Sequence, residues 1–167
     1  MRLLLSILLI VSPIWPLGKN PLPGDPFLIV NKQTNMVAFI QGGAIKGQYK
    51  AATGKTDDLT PQGLFTIIVK AKDPYYRKSD IPGGAPENPL GTRWMGFDAN
   101  GTDGRMYGIH GTSRPDSIGK YVSNGCIRML NSEVEALFDK VPQGTKVLIV
   151  KSRKSFEALA EEYGAMN

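Results

Sequence analysis

Short apolar and β-branched runs recur along the chain between Pro- and Gly-rich punctuation, and that pattern predicts strands. "FLIVNKQTNMVAFIQGG" reads as two of them, residues 27–31 and 36–40, around a polar turn. "AIKGQYKAAT" continues as a third, ending at Gly54, and "LFTIIVKAK" (64–72) is a β-branched strand. "RWMGFDA" and "RMYGIHG" flank "NGTDG", which has hairpin-turn composition, so the second strand returns beside the first and ends on His110. "KVLIVK" supplies a last strand.

Helical spacing occurs twice. In "NSEVEALFDKV", Val134, Leu137, Phe138 and Val141 fall on one face, with Ser132 placed to cap and Glu135 to complete a capping box. The tail "SRKSFEALAEEYGAMN" is amphipathic and reads as a short helix. Between 73 and 92 lies a segment dense in Pro and Gly with no periodicity; a loop that long is either a lid over a site or an inert surface insertion. The expected architecture is mostly β, a sandwich or barrel-like sheet with one packed helix and a short C-terminal helix.

Composition adds less. At 167 residues the chain is long enough for one domain with a real core. Nineteen glycines and twelve prolines favour a turn-rich β fold over a helical bundle. The net charge of +5 comes without a Lys/Arg block or aromatic–basic interleaving, which gives no support to nucleic-acid binding. An apolar run at 3–15 follows one positive charge; it is short for a membrane span and right for the core of a signal peptide. No A-x-A cleavage site follows, so residues 1–18 read as a signal peptide or an uncleaved signal-anchor. Residues 19–26 form a Pro/Gly linker, 27–151 the domain, and 152–167 the helical tail.

One histidine and one cysteine occur in the whole chain, sixteen positions apart in "HGTSRPDSIGKYVSNGCIRM". A thiol attacks well only as thiolate, and an imidazole within reach can take its proton. His110 closes a predicted strand and Cys126 precedes the predicted helix, so both sit at the edges of rigid elements. Gly125 directly before Cys126 frees the backbone, and the consecutive amides of Asn124, Gly125 and Cys126 could converge on one oxyanion. The residues alone leave two readings open, a catalytic pair or a small buried cysteine beside an unrelated histidine.

"HGT", the spacing of sixteen and "SNGCIRM" together resemble the catalytic signature of the L,D-transpeptidases, bacterial cell-wall enzymes with a cysteine nucleophile. "TGKTDDLTPQGLFTI" is similar to that family's Thr-Gly-Lys and Thr-Pro-x-Gly segment, and "RWMGF" to the strand before its site. The resemblance implies Cys126 as nucleophile, His110 as general base and later acid, and the Gly111 carbonyl as the group that orients the imidazole. It implies an oxyanion hole from the amides of Asn124, Gly125 and Cys126. Arg128 matches the family's arginine near the site, either a clamp for a substrate carboxylate or half of a structural ion pair. Ser123 matches a family Ser/Thr that binds substrate or stabilises the turn. Trp94 and Tyr107 line the donor cleft or belong to the core. Asn124 departs from the pattern, because many members carry a second histidine there.

The implied substrate is a peptidoglycan tetrapeptide stem, and the implied reaction is loss of its terminal D-Ala through a thioester to Cys126, followed by transfer to an amine. No metal and no organic cofactor is implied. Export to the outer side of a bacterial membrane, with a possible tether through the N-terminal segment, fits that substrate. The nearest alternative is an L,D-carboxypeptidase, in which water replaces the amine; a non-catalytic wall-binding module is another. A papain-like protease is disfavoured, because there the cysteine precedes the histidine.

Overall fold

The computed structural model describes residues 18–167. The apolar run read as an export segment lies outside the described residues. Ten strands and two helices follow in chain order: β1 (Phe27–Asn31), β2 (Met36–Gln41), β3 (Ala44–Lys50), β4 (Thr53–Gly54), β5 (Gly63–Lys72), β6 (Arg93–Phe97), β7 (Tyr107–His110), β8 (Tyr121–Ser123), β9 (Ile127–Arg128), α1 (Asn131–Lys140), β10 (Lys146–Val150) and α2 (Phe156–Glu162).

Eight strands form one sheet in the order β3-β2-β1-β10-β5-β6-β7-β9, while β4 and β8 make a small parallel pair of their own. The third predicted strand therefore breaks in two, and the segment between His110 and Cys126, expected as loop, contains β8. Side chains from β1 and β2 share one core cluster with side chains from β6, β7, β9 and α1, so the large sheet curls around that helix. Its interior holds Leu28, Phe39, Ile67, Met95, Phe97, Ile109 and Leu137, each fully buried or nearly so. Burying one such side chain is worth about 1.5–3 kcal/mol, which makes this cluster the main stabilising mass.

β1 is buried along its whole length. Its period of two sends Leu28 and Val30 into the curl and Phe27 and Ile29 to the opposite face. That second face is covered by α2 through Leu159 and Ala160. α2 starts at a working cap, with Ser155 Oγ accepting the Ala158 N–H at 3.2 Å.

α1 starts differently from expectation. Asn131 is its first residue and Leu130 its N-cap, with no side-chain cap, so Ser132 lies inside the first turn and the capping box does not form. The chain enters directly from the β9 ladder, where the Met129 N–H donates to the His110 carbonyl, and this tertiary bond sets the helix start ahead of the local signal. The apolar face is as expected, with Val134, Leu137 and Phe138 buried.

Candidate active site

Strand register brings the candidate residues onto one face. β7 pairs antiparallel with β6, placing Trp94 opposite His110. It pairs in parallel with β9, placing His110 opposite Arg128. Met95, Ile109 and Ile127 point into the core. Alternation then turns Trp94, His110 and Arg128, with Cys126 one step before β9, to the other side. The short strand β9 lies between Cys126 and the helix that the sequence placed directly after it.

His110 is only 4% exposed. Its Nδ1 is 2.6 Å from the Gly111 carbonyl oxygen. A carbonyl can only accept, so Nδ1 carries the proton and Nε2 keeps its lone pair. The Trp94 ring stacks on the imidazole with centroids 5.5 Å apart, and the indole N–H is itself fixed on the Gly104 carbonyl at 2.9 Å. Ring plane and tautomer are thus both held. The Cys126 thiol donates to the Met106 carbonyl at 3.4 Å.

Burial dominates the electrostatics of the pair. It pushes the His110 ring down to about 4, against the pull of the Gly111 and Leu90 carbonyls and with help from the Arg128 charge. Burial also raises the Cys126 thiol, while the Gly108 backbone and Arg128 work the other way. Thiol and imidazole are therefore both neutral at neutral pH.

The turn before Cys126 is braced from two sides. Gly125 has φ +129°, and a Cβ built there would lie 2.5 Å from the Leu59 carbonyl oxygen, so only glycine fits. Its N–H donates to Ser123 Oγ at 3.1 Å, and its carbonyl accepts from Thr60 Oγ1 at 2.9 Å. Of the three amides expected to hold an oxyanion, the one on Gly125 is thus engaged within the turn. Among the described residues, the Asn124 and Cys126 N–H groups have no acceptor. Ser123 is buried at 1% exposure with its hydroxyl on the turn, a turn-stabilising position rather than a substrate-facing one. Asn124 is exposed.

Gly111 has a packing reason as well. A Cβ there would fall 2.0 Å from Asn131 Oδ1, the oxygen that accepts the Thr112 N–H at 2.9 Å. The first residue of α1 therefore fixes the backbone whose carbonyl fixes His110. A cleft of about 540 Å³ is lined by Tyr76, Ile81 and Glu87 together with Thr112, Arg114 and Arg128, and Arg128, opposite His110 in the β7–β9 register, links it to the pair. The first three belong to the Pro- and Gly-rich loop at 73–92. Arg128 forms no ion pair among the described residues, which leaves its guanidinium available to a ligand. Trp94 is buried at 7% exposure and acts on the site through the imidazole. Tyr107 is half-buried, stacks on Phe97 at 6.2 Å and lies against Gly125.

Three supporting residues escaped the sequence reading. Thr60 and Asn131 act through side-chain hydrogen bonds, to the Gly125 carbonyl and from the Thr112 N–H, that join loops far apart in sequence. Lys32, 3% exposed, sends its ammonium to the carbonyls of Asp57 and Thr60 and to the Asp57 carboxylate. The "TPQG" string containing Thr60 was visible as part of a motif, but its partner was not.

The YkuD profile, described as the L,D-transpeptidase catalytic domain, matches residues 25–149. The chain belongs to the L,D-transpeptidase family. It is 62% identical over 163 residues to YqjB of Bacillus subtilis, a protein whose name places it provisionally among the L,D-transpeptidases; the match covers 98% of this chain and 93% of YqjB. Identity to YkuD of Bacillus subtilis, named in the same provisional way, is 43% over 101 residues, covering 60% of this chain and 51% of that protein. The fold is also that of the family. The catalytic domain of the Enterococcus faecium L,D-transpeptidase, solved acylated by ertapenem, superposes with a TM-score of 0.57 at 26% identity, over 75% of this chain and 97% of that one.

Proposed function

We propose that this L,D-transpeptidase works by a cysteine thioester. The observation that carries the proposal is that Cys126, one step before β9, and His110, at the end of β7, turn to the same face, with the Gly111 carbonyl holding the ring so that Nε2 can accept a proton. The substrate is the tetrapeptide stem of peptidoglycan. Sγ attacks the carbonyl carbon of the third residue as its proton passes to Nε2, giving a tetrahedral oxyanion that the free Cys126 N–H can meet. The oxyanion collapses, the bond to the D-Ala nitrogen breaks, and the imidazolium gives its proton to that leaving amine. The acyl group is then on sulfur. An acceptor amine attacks the thioester, loses a proton to Nε2, and expels the thiolate, leaving an amide cross-link and a regenerated thiol after proton return.

Arg128, which lines the cleft and stands opposite His110 in register, suits a carboxylate of the donor stem through its planar, two-pronged donor set. The reaction takes place outside the cytoplasmic membrane, where the apolar leader at 3–15 directs the chain. Acylation of the Enterococcus faecium relative by ertapenem supports a nucleophile that accepts acyl groups here too.

The test is mass spectrometry of a disaccharide-tetrapeptide incubated with the full chain and with Cys126→Ala. Loss of D-Ala and appearance of a cross-linked dimer, both absent with the variant, are expected. Loss of D-Ala without dimer would replace transfer by hydrolysis. An unchanged substrate in the presence of folded protein would overturn the reading.

A further inference from the structure

The loop between β4 and β5 makes contacts that the reaction, as described, does not use. Thr60 is 1% exposed, and its hydroxyl bridges two backbone groups: it accepts the Gly54 N–H at 2.9 Å and donates to the Gly125 carbonyl at 2.9 Å. Its own carbonyl accepts from the buried Lys32 ammonium at 2.8 Å. The same loop supplies the Lys55 N–H to the Ser123 carbonyl at 2.9 Å, and the Leu59 carbonyl beneath Gly125. A hydroxyl has one proton to give, and here it is given to the peptide that precedes the thiol.

The peptide joining Gly125 to Cys126 is trans and planar. In a trans peptide the C=O and the N–H point in opposite directions across the plane. Holding the carbonyl toward Thr60 therefore holds the Cys126 N–H away from it. That N–H has no acceptor among the described residues, and the Gly125 N–H next to it is already on Ser123. Rotation of this single plane would turn a donor at the reacting carbon into an acceptor, replacing stabilisation of a developing negative charge by repulsion.

We propose that Thr60 is a positioning residue: its buried hydroxyl sets the Gly125–Cys126 peptide plane and thereby aims the Cys126 N–H at the acyl oxygen. Lys32 anchors Thr60 from behind. The inference rests on the reading of Cys126 as the acyl-accepting nucleophile.

Two small probes separate aim from access. Iodoacetamide alkylates sulfur by direct displacement, with no oxyanion. p-Nitrophenyl acetate acylates it through a tetrahedral oxyanion and releases a measurable phenolate. Both rates are taken on the full chain, with Cys126→Ala as blank, for the natural protein and for Thr60→Val, Thr60→Ala and Thr60→Ser. Thr60→Val is close in shape and lacks the hydroxyl; Thr60→Ala leaves space instead of a clash and serves if the valine variant does not fold.

Acylation is expected to fall about 10- to 100-fold in the valine or alanine variant, short of the loss for deleting an oxyanion donor outright. Alkylation should stay near the natural rate, and serine should restore acylation. Equal loss in both reactions would reduce Thr60 to a general support of the loop and overturn the proposal, as would acylation at the natural rate without the hydroxyl. Neither probe contains a wall peptide. A chain that failed on the tetrapeptide but showed this split would keep the Thr60 assignment and lose only the substrate. A natural protein that alkylates at Cys126 but does not acylate would overturn both.

Discussion

Two irregular loops flank the thiol, and they are built in opposite ways. The loop from Lys55 to Gln62 is tied to the body through buried groups, the Lys32 ammonium and the Thr60 hydroxyl, and it bears on the turn before Cys126. The loop at 73–92 is tied mainly to itself. Asn88, 1% exposed, donates to the carbonyls of Pro74 and Pro82, the Tyr76 and Ile81 backbones pair, and most of its other residues are exposed or half-buried. The first loop fixes a peptide plane, which demands sub-ångström constancy. The second walls a cleft, which demands only shape, and it reaches the pair through the Leu90 carbonyl at His110. Contact with the rest of the body, more than sequence irregularity, separates a cradle from a cover.

The sharpest way to break that contrast is Gly125→Ala. The new Cβ meets the Leu59 carbonyl, and φ +129° is strained for any L side chain. Turnover should fall by about 100-fold or more, with a loss of about 1–3 kcal/mol in unfolding free energy; steady-state kinetics and denaturant unfolding check both. Next comes Lys32→Met, which leaves the Asp57 and Thr60 carbonyls without their shared donor. It should cost about 1.5–3 kcal/mol and speed amide exchange in residues 55–60 while leaving 73–92 unchanged. Equal acceleration in both loops would erase the distinction.

His110 gives a pH test. Its ring titrates near 6.5 when unfolded and about 4 when folded. Between those values the unfolded chain binds more protons, so stability rises with pH across the window and is lost on acidification through it. Thermal unfolding should show that slope, and His110→Gln should flatten it. The smallest effect on stability is expected of Asn88→Ala, about 1 kcal/mol. Its signature should be local: faster proteolytic nicking within 73–92 and a changed ratio of hydrolysis to transfer on the tetrapeptide. An unchanged ratio would make that loop inert.

Much of the frame was legible because period-two patterning and turn chemistry act locally. The hairpin of β6 and β7 forms where "NGTDG" put it, and His110 ends its strand. The pair at 110 and 126 stood out because neither residue type occurs elsewhere. What could not be read depended on distant partners. Thr60 looks like any threonine before a proline until Gly125 is seated on it. Ser132 had every local reason to cap α1 and lost to the ladder bond from Met129. Gly125 offered an amide to an oxyanion on paper, but the neighbouring Ser123 hydroxyl had already taken it.

β1 lies in parallel beside β10, pairing Phe27 with Lys146 and Asn31 with Val150. These are the third and fourth of the eight strands in the large sheet, yet more than a hundred residues separate them. No early portion of the growing polypeptide can complete the sheet, because β1 and β5 are joined only through β10, the last strand made. Until then Phe27, Leu28, Ile29 and Val30 lack a neighbour along one edge. The topology thus delays its own locking, and the fold closes around its thiol only once β10 has been made.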